Sequence, residues 1–246
     1  MQGVRQGYWL LIVMATFSFW PVMSQAMDTD DYLREAKTYL EQGQDKHAVI
    51  QLKNALLLDQ NNTEARLLLG EVYLDQEELR SAEKELSRSR ELGADRERVI
   101  LPMGRTWLLM GESDRMLEEI VVEEGDSIPL QVGIQLSHGK AYLLKQELEK
   151  ADEAFTSALA LEPSAVDALL GKAGIAKLKG DDEDYAAFVD KALAVDPKSA
   201  DAWAMKGSQL RLDGKLQEAV SAYGKVLQIE PGRTNARVAK AMALMG

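Results

Sequence analysis

Small, apolar and aromatic residues recur along this chain with a period of 34 residues. Three prolines mark the period most plainly, because Pro163, Pro197 and Pro231 are separated by 34 residues each. A fixed spacing between about 20 and 50 residues is typical of a chain built from repeated structural units. When each proline is set at position 32 of a unit, small or large apolar residues fall at positions 4, 8, 11, 20, 24 and 27 of most units.

This spacing predicts two helices in each unit, which we call helix A and helix B. Positions 4, 8 and 11 are four and three residues apart, so they share one face of helix A. In the last complete unit they are Trp203, Gly207 and Leu210, and helix B carries Ala219 and Tyr223 at positions 20 and 24. The small residues let the two helices approach closely, the large ones fill the space beside that contact, and the proline stops helix B.

These positions define the tetratricopeptide repeat, and the chain resembles that family. One helical hairpin cannot bury its apolar face alone, whereas stacked hairpins bury it between neighbours. We therefore expect an all-α fold, a right-handed α-solenoid over residues 27–246 whose concave surface is lined by the A helices. The predicted units are 29–62, 63–96, 97–131, 132–165, 166–199 and 200–233, followed by a half-repeat helix at 234–246.

Two units depart from the pattern. The third, 97–131, has Met116 and Ile120 at positions 20 and 24, and it needs one extra residue, for which a loop at 127–129 is expected. The fifth has Tyr185 where a small residue belongs. We expect the solenoid to be locally irregular at both units. The terminal helix should cap the stack, yet its sequence is apolar, so it either packs on the preceding helix B or belongs to a shortened relative of a longer array.

The first 26 residues have the layout of a secretory signal peptide. Arg5 precedes an apolar run from Tyr8 to Trp20, and Pro21 then breaks any helix. Small residues follow, so cleavage is expected after Ala26. The alternative is an uncleaved N-terminal membrane anchor, although the run is shorter than the ~20 residues that a membrane-spanning helix needs. We expect an exported protein that is periplasmic or secreted.

Charge and composition narrow the range of partners. The net charge of −11 repels the phosphates of nucleic acids and the headgroups of anionic lipids. We therefore expect no nucleic acid partner, and membrane contact only if the N-terminal segment is retained as an anchor. The chain has no cysteine, which excludes disulfides, thiolate metal sites and a lipidated N-terminal cysteine.

No group of residues in the sequence has the spacing of a catalytic site. His47 and His138 lie in different units of a solenoid, 91 residues apart, so they are not expected to meet. The acidic run 181–184 lacks the register of a calcium loop and is interpreted as favourable charge at the N-terminus of a B helix. The run 171–174 lacks the spacing of a phosphate-binding loop. We expect no enzyme activity, no cofactor and no metal site.

The concave surface is the remaining candidate site. Positions 2, 5, 9 and 12 of the A helices should face it, and apolar residues there would be available to a partner. Arg98, Arg105 and Lys140 form a basic island that could meet a carboxylate or an acidic peptide. We predict a protein or peptide partner in this groove, with candidate contact residues Leu33, Lys37, Leu67, Glu71, Leu74, Arg98, Leu101, Arg105, Leu108, Leu136, Lys140 and Leu143.

The order of the motifs adds a narrower resemblance. The segments AVIQLKNAL at 48–56 and EARLLLGEVYL at 64–74, with the degenerate VILP at 99–102, resemble the N-terminal part of the tetratricopeptide-repeat lipoprotein of the PEP-CTERM/exosortase system. The resemblance implies a bacterial envelope scaffold in exopolysaccharide production or surface-protein sorting. Members of that family commonly have a lipobox cysteine and more repeats than this sequence. The alternative is an assembly factor for another envelope system, such as pilus, outer-membrane or cell-wall machinery.

Overall fold

A computed structural model describes residues 27–245, which contain thirteen helices and no strand. The helices are α1 (Thr29–Glu41), α2 (Asp45–Leu58), α3 (Thr63–Asp75), α4 (Leu79–Glu91), α5 (Arg96–Met110), α6 (Ser113–Glu119), α7 (Ile128–Leu144), α8 (Leu148–Leu161), α9 (Val166–Lys179), α10 (Asp182–Val195), α11 (Ala200–Leu212), α12 (Leu216–Ile229) and α13 (Thr234–Met245). Consecutive helices pair as six hairpins, and α13 follows the last one. The predicted signal peptide lies outside the described residues.

Short polar side chains begin several A helices. The side chains of Asp28, Asn62, Ser127 and Ser199 each accept a hydrogen bond from the backbone N–H three residues later. They satisfy donors that the first turn of a helix leaves without a partner. Gly111 ends α5 with a φ of 79°, a left-handed conformation that glycine adopts without a steric penalty.

Glycine at position 8 brings helix A and helix B of a hairpin together. A Cβ atom added to Gly70 would lie 2.7 Å from Cγ of Leu86, and one added to Gly207 would lie 2.8 Å from Cε1 of Tyr223. Both distances are well below van der Waals contact, so a larger residue would push the two helices apart. The predicted close contact through small residues is confirmed.

The buried side chains form a seam that continues from one hairpin to the next. One cluster joins Leu67 of α3, Trp107 of α5 and Ile134 of α7. Another joins Phe155 of α8 to Ile175 of α9. Each hairpin therefore buries its apolar face against its neighbours, which is the arrangement of a helical solenoid. The predicted all-α fold class is confirmed.

The third unit is the irregular part of the stack. Its helix B, α6, has only seven residues, and residues 120–127 after it are not helical. Arg96 holds this segment, because its Nε atom lies 2.7 Å from Oδ1 of Asp126 and its Nη2 donates to the carbonyl of Val121 at 2.6 Å. The hydrogen bond from Arg96 also holds the pKa of the Asp126 carboxyl below its usual range.

Two details predicted for this region are wrong. The loop expected at 127–129 is instead the start of a helix, since Ser127 caps α7 and Pro129 lies in its first turn. Proline is tolerated there because the first helical N–H groups have no partner within the helix. The unit boundary expected after residue 131 consequently falls inside α7.

Helix α13 packs on α12 through one face only. Ala236 and Ala243 are buried against the preceding hairpin. On other faces Val238, Met242 and Met245 are between 54% and 81% exposed. The helix therefore packs on the preceding helix B, as one of the two sequence-based expectations stated, but it also leaves apolar surface open. Within residues 27–245, no helix is both long enough and apolar enough to cross a membrane.

Candidate binding cleft

In the first three units, the predicted groove leucines mainly join neighbouring A helices. Leu67 and Leu74 are 2% and 3% exposed and belong to the core, so the prediction that they face a partner is wrong. Leu101 fills the space beside Gly133 of α7, where an added Cβ atom would lie 2.6 Å from Cδ1 of the leucine. The other predicted leucines are half-buried against the core, namely Leu33, Leu108, Leu136 and Leu143.

The predicted basic island is neutralised by carboxylates of neighbouring units. Arg98 lies 2.6 Å from the carboxylate of Glu64, which also lies 3.0 Å from Lys37. Arg105 pairs with Asp75 at 3.2 Å. Burial disfavours the charged form of Glu64, but the hydrogen bonds from Arg98 and Lys37 outweigh it and lower its pKa. Arg98 and Arg105 of the predicted basic island are therefore each paired with a carboxylate of the preceding unit.

Glu71 is the remaining predicted residue of this region, and it lies half-buried near the same charges. Loss of surrounding water is the largest effect on its carboxyl and raises the pKa, while attraction to Arg98 opposes that shift. Repulsion from Glu64 and Asp75 adds to the rise. In the first three units, the leucines of the A helices are therefore packed between helices, and the neighbouring charged side chains are paired with one another.

An open cleft of about 540 Å³ lies between the A helices of the fourth, fifth and sixth units. Two predicted residues of α7, Lys140 and Leu143, line it. In α11, Ala204 and Ser208 stand at positions 5 and 9, where each of the first four units carries a leucine and a charged residue. The cleft is thus open because the side chains are small. Its other lining residues are Phe155, Asp167, Leu170, Gly171, Tyr185, Asp201, Met205 and Arg233.

Two ion pairs contribute charged groups to the cleft. Lys140 lies 3.6 Å from Asp167, and Arg233 lies 2.5 Å from Asp201. The side chains of Asp167 and Asp201 are 61% and 68% exposed, so water and a ligand can reach both. Exposed ion pairs are held by little net free energy, so Lys140 and Asp167 can change partner when a charged ligand enters. Arg233 is 21% exposed and also lies 3.3 Å from Glu230, so in the second pair Asp201 is the accessible member.

Two aromatic side chains from the B helices form the floor of the cleft. Phe155 lies between two glycines, since Cβ atoms added to Gly139 and Gly171 would each come within 2.5 Å of its ring. Tyr185 is 4% exposed, and its hydroxyl donates to the carbonyl of Met205 at 2.7 Å. Burial raises the pKa of Tyr185 to about 12, so the phenol stays neutral at physiological pH.

Tyr185 also corrects the expectation for the fifth unit. Its two helices, α9 and α10, have 14 residues each despite the large residue at the small-residue position. The tyrosine is accommodated because its ring extends beyond its own hairpin, where it meets the backbone of α11 at Met205. The predicted irregularity is therefore not seen in the lengths of these helices.

Four exposed leucines at the ends of A helices were not predicted from the sequence. The four leucines are between 51% and 67% exposed, and they stand at position 13, at the end of the A helix in units three to six. Comparing the units at that position would have found them, because the first two units have acidic residues there. They are Leu109, Leu144, Leu178 and Leu212. Arg233 and Asp201 were also missed, since the predicted groove stopped before the sixth unit.

The residues considered for catalysis or metal binding have structural contacts. His47 stacks on Tyr39 with ring centroids 5.3 Å apart, and His138 makes a 2.6 Å hydrogen bond with the carbonyl of Ile120. Asp181 caps α10 by accepting from the N–H of Asp184 at 3.0 Å. Within the described residues, no group of three or more metal-ligating side chains could hold an ion.

Comparison with known proteins places these hairpins in a family. Three family models described as tetratricopeptide repeat match residues 39–100, 136–193 and 188–221. No curated protein matches the sequence. Solved structures do match: PilF of Pseudomonas aeruginosa is 17% identical with a TM-score of 0.65, and the match covers 87% of this chain and 97% of PilF.

Two further solved structures are similar in fold. PilW, described as a widely conserved type IV pilus biogenesis factor, is 17% identical with a TM-score of 0.65 over 88% of this chain and 98% of PilW. YrrB, described as a TPR protein with an unusual peptide-binding site, is 19% identical with a TM-score of 0.52 over 73% of this chain and 92% of YrrB. At these identities the likeness concerns the fold alone.

Proposed function

Because this chain is a tetratricopeptide repeat protein, we propose that it is a non-catalytic adaptor that holds a peptide segment of a partner protein in the cleft between α7, α9 and α11. The cleft itself carries the proposal. It is a concave space of about 540 Å³ with an apolar floor and exposed charges, on a fold that does not need to leave it open.

The shape and chemistry of the cleft suit an extended peptide. Three adjacent helices packed ~10 Å apart span roughly 20 Å, which is the length of about six residues of extended chain. Leu143, Leu170 and Met205 offer apolar contacts, and Ser208 offers a hydroxyl for a backbone group. The two ion pairs can bind either sign of charge on the peptide, so they do not by themselves restrict the ligand to acidic segments.

The test is to fill the cleft without disturbing the core. Ser208→Arg places a long side chain in the open space, and we expect it to weaken binding of the captured partner at least about tenfold. Ser221→Arg on the exposed face of α12 is the matched control and should bind like the wild type. Partners would be captured from an envelope extract with the mature chain, identified by mass spectrometry, and titrated calorimetrically. Equal affinity of the two variants would refute the cleft as the site.

We propose that the adaptor is exported and acts in the bacterial envelope, in exopolysaccharide production or PEP-CTERM/exosortase-linked sorting. The signal-like residues 1–26 and the motif order at 48–102 support this proposal. A mass measurement of the purified chain tests export, because a mature N-terminus at Met27 is expected and a start at Met1 would contradict cleavage. Loss of surface polysaccharide or of sorted surface proteins in a deletion strain tests the pathway.

A second candidate pathway is the assembly of type IV pili. The likeness to PilW, which covers 88% of this chain, favours it. A deletion strain that lost surface pili while its polysaccharide and sorted proteins stayed normal would select this pathway over the first. The same peptide-binding cleft would serve either pathway, so the cleft variants and the deletion strain address separate questions.

A further inference from the structure

Charged residues at two positions of the A helices pair across the junctions between units. Lys37 lies 3.0 Å from Glu64, and Lys140 lies 3.6 Å from Asp167. Both lysines stand at position 9 of their units, and both carboxylates stand at position 2 of the next unit. At these two junctions, the carboxylate at position 2 is thus paired with a cation from the preceding unit.

The junction between the second and third units has the same pairing with the signs exchanged. Glu71 stands at position 9 and Arg98 at position 2, and their charges attract one another. Position 2 of the fourth unit is the uncharged Gly133, and Arg105 at position 9 before it pairs with Asp75 instead, at 3.2 Å. Positions 9 and 2 therefore carry opposite charges at each junction where both are charged.

The junction between the fifth and sixth units has the carboxylate without the cation. Asp201 stands at position 2, but position 9 of the fifth unit is Gly174. A Cβ atom added to Gly174 would meet nothing within 4 Å, so there is open space where a lysine side chain begins in the fourth unit. Gly174 follows the cleft residue Leu170 by one helical turn, which places both on one face of α9. The open space therefore adjoins the cleft.

Asp201 can accept a second cation. Its side chain is 68% exposed, and the hydrogen bond from Arg233 goes to its Oδ1 atom. Glu64 shows that a carboxylate at position 2 can hold two cations, because Lys37 before it and Arg98 after it lie at 3.0 and 2.6 Å. Within residues 27–245, Asp201 has only the cation that follows it in the chain.

The charges around Asp201 favour a basic side chain over an acidic one. Arg233 is 21% exposed and also lies 3.3 Å from Glu230, so two carboxylates share it. Lys140, the other cation that lines the cleft, has Asp167 at 3.6 Å. The net charge of −11 attracts positively charged segments at longer range. An acidic side chain would instead place a like charge beside Asp201.

We propose that the segment bound in the cleft carries a lysine or arginine whose side chain occupies the space above Gly174 and pairs with Asp201. This inference rests on the proposed function, since it names the chemistry of the peptide held by the same cleft. The ligand would supply the ion pair that Lys140 and Asp167 make one junction earlier. The aliphatic part of the basic side chain would contact Leu170 while its charged end reaches the carboxylate.

Three mixtures of capped hexapeptides test this proposal. One position is fixed as lysine, norleucine or glutamate, and the remaining positions vary among alanine, leucine and serine. Each mixture is passed over the immobilised mature chain, and the retained peptides are quantified by mass spectrometry. An exposed ion pair contributes little net free energy, so we expect the lysine mixture to be retained about two to five times more than the norleucine mixture. The glutamate mixture should be retained least.

Variants of the chain assign the preference to one carboxylate. Asp201→Asn should remove the preference for lysine and leave retention of the norleucine mixture unchanged. Glu218→Gln, on the exposed face of α12, removes the same charge outside the cleft and should keep the preference. Gly174→Lys should also lose it, because the chain then supplies the cation itself, whereas Gly174→Ala should keep it. Circular dichroism would verify that each variant folds.

Equal retention of the lysine and norleucine mixtures, or a lysine preference that persists in Asp201→Asn, would overturn this inference. A preference lost in Asp167→Asn but not in Asp201→Asn would contradict it as well, because the basic side chain would then pair one unit earlier. The cleft is judged separately. Retention of the norleucine mixture that Ser208→Arg abolishes would keep the cleft as the site even without a lysine preference, whereas retention of no mixture would refute both proposals.

Discussion

The two halves of the concave surface use the same sequence positions in opposite ways. In α3 and α5, positions 5 and 9 carry leucine and a charged residue, and the leucines are packed between helices. In α11, Ala204 and Ser208 occupy these two positions and line the open cleft. In α9, Leu170 keeps the leucine at position 5, and Gly174 replaces the charged residue at position 9. At such a position, a large side chain fills the space between neighbouring A helices, whereas a small side chain leaves that space open.

The charges follow the same division. Glu64 is shared by two cations and its carboxylate is 29% exposed, so this network mainly joins neighbouring units. In the second half, Asp167 and Asp201 each contact one cation and are more than 60% exposed. The division is not complete, because Asp75 in the first half also contacts one cation and is 67% exposed. The contrast therefore concerns the partly buried Glu64 network and the exposed aspartates of the cleft.

The largest expected effect is the difference in stability lost when a packed leucine of the first half and a cleft leucine of the second half are each shortened to alanine. Leu67→Ala removes a buried side chain that bridges units and should cost about 3 kcal/mol of unfolding free energy. Leu143→Ala, at a half-buried cleft position, should cost about 1 kcal/mol. Urea denaturation followed by circular dichroism measures both. Similar losses at the two sites would break the comparison.

The junction between the halves depends on Arg96. Arg96→Ala leaves Asp126, whose side chain is 4% exposed, without its cation, and should cost about 2 kcal/mol. It should also release the 120–127 segment, which amide hydrogen exchange would detect as faster exchange there than in α3. Unchanged protection of that segment would show that Arg96 does not hold it.

Two glycines of α9 provide a matched pair within the second half. Gly171→Ala would place a Cβ 2.5 Å from the Phe155 ring and should destabilise the chain by about 1.5 kcal/mol. Gly174→Ala meets nothing within 4 Å and should stabilise by about 0.5–1 kcal/mol, because alanine favours the helix. Thermal melts of the two variants should therefore shift in opposite directions. A loss of stability at Gly174 would mean that its space is already filled.

The smallest effect concerns pH. The pKa of Glu64 is lowered from its ordinary value of 4.5, so its ion pairs contribute stability above that pH and lose it as the pH falls through the lowered pKa. Glu64→Gln should reduce the difference in unfolding free energy between neutral and acidic pH by about 0.5 kcal/mol. Glu71 has a raised pKa, so Glu71→Gln should instead gain stability at neutral pH. Denaturation curves across the acid range test both signs.

The predictions from the sequence were accurate at positions where a residue type has a single structural consequence. The glycine at position 8 and the prolines between units predict close helix contacts and helix ends, and both follow from local sterics. The groove prediction was less accurate. Lys140 and Leu143 line the cleft, whereas Leu67 and Leu74 are buried, because a leucine at position 5 or 12 can pack on the next A helix or face the groove. Which of these occurs depends on the neighbouring unit.

The helical period, the caps and the small-residue contacts were determined by the sequence alone, because each rests on interactions within one hairpin or between adjacent ones. Only the tertiary structure decided which cations are neutralised, where the cleft opens, and that α13 leaves a face uncovered. Those outcomes depend on how side chains from three consecutive units share a common space, and a periodic pattern does not encode the volume that remains among them.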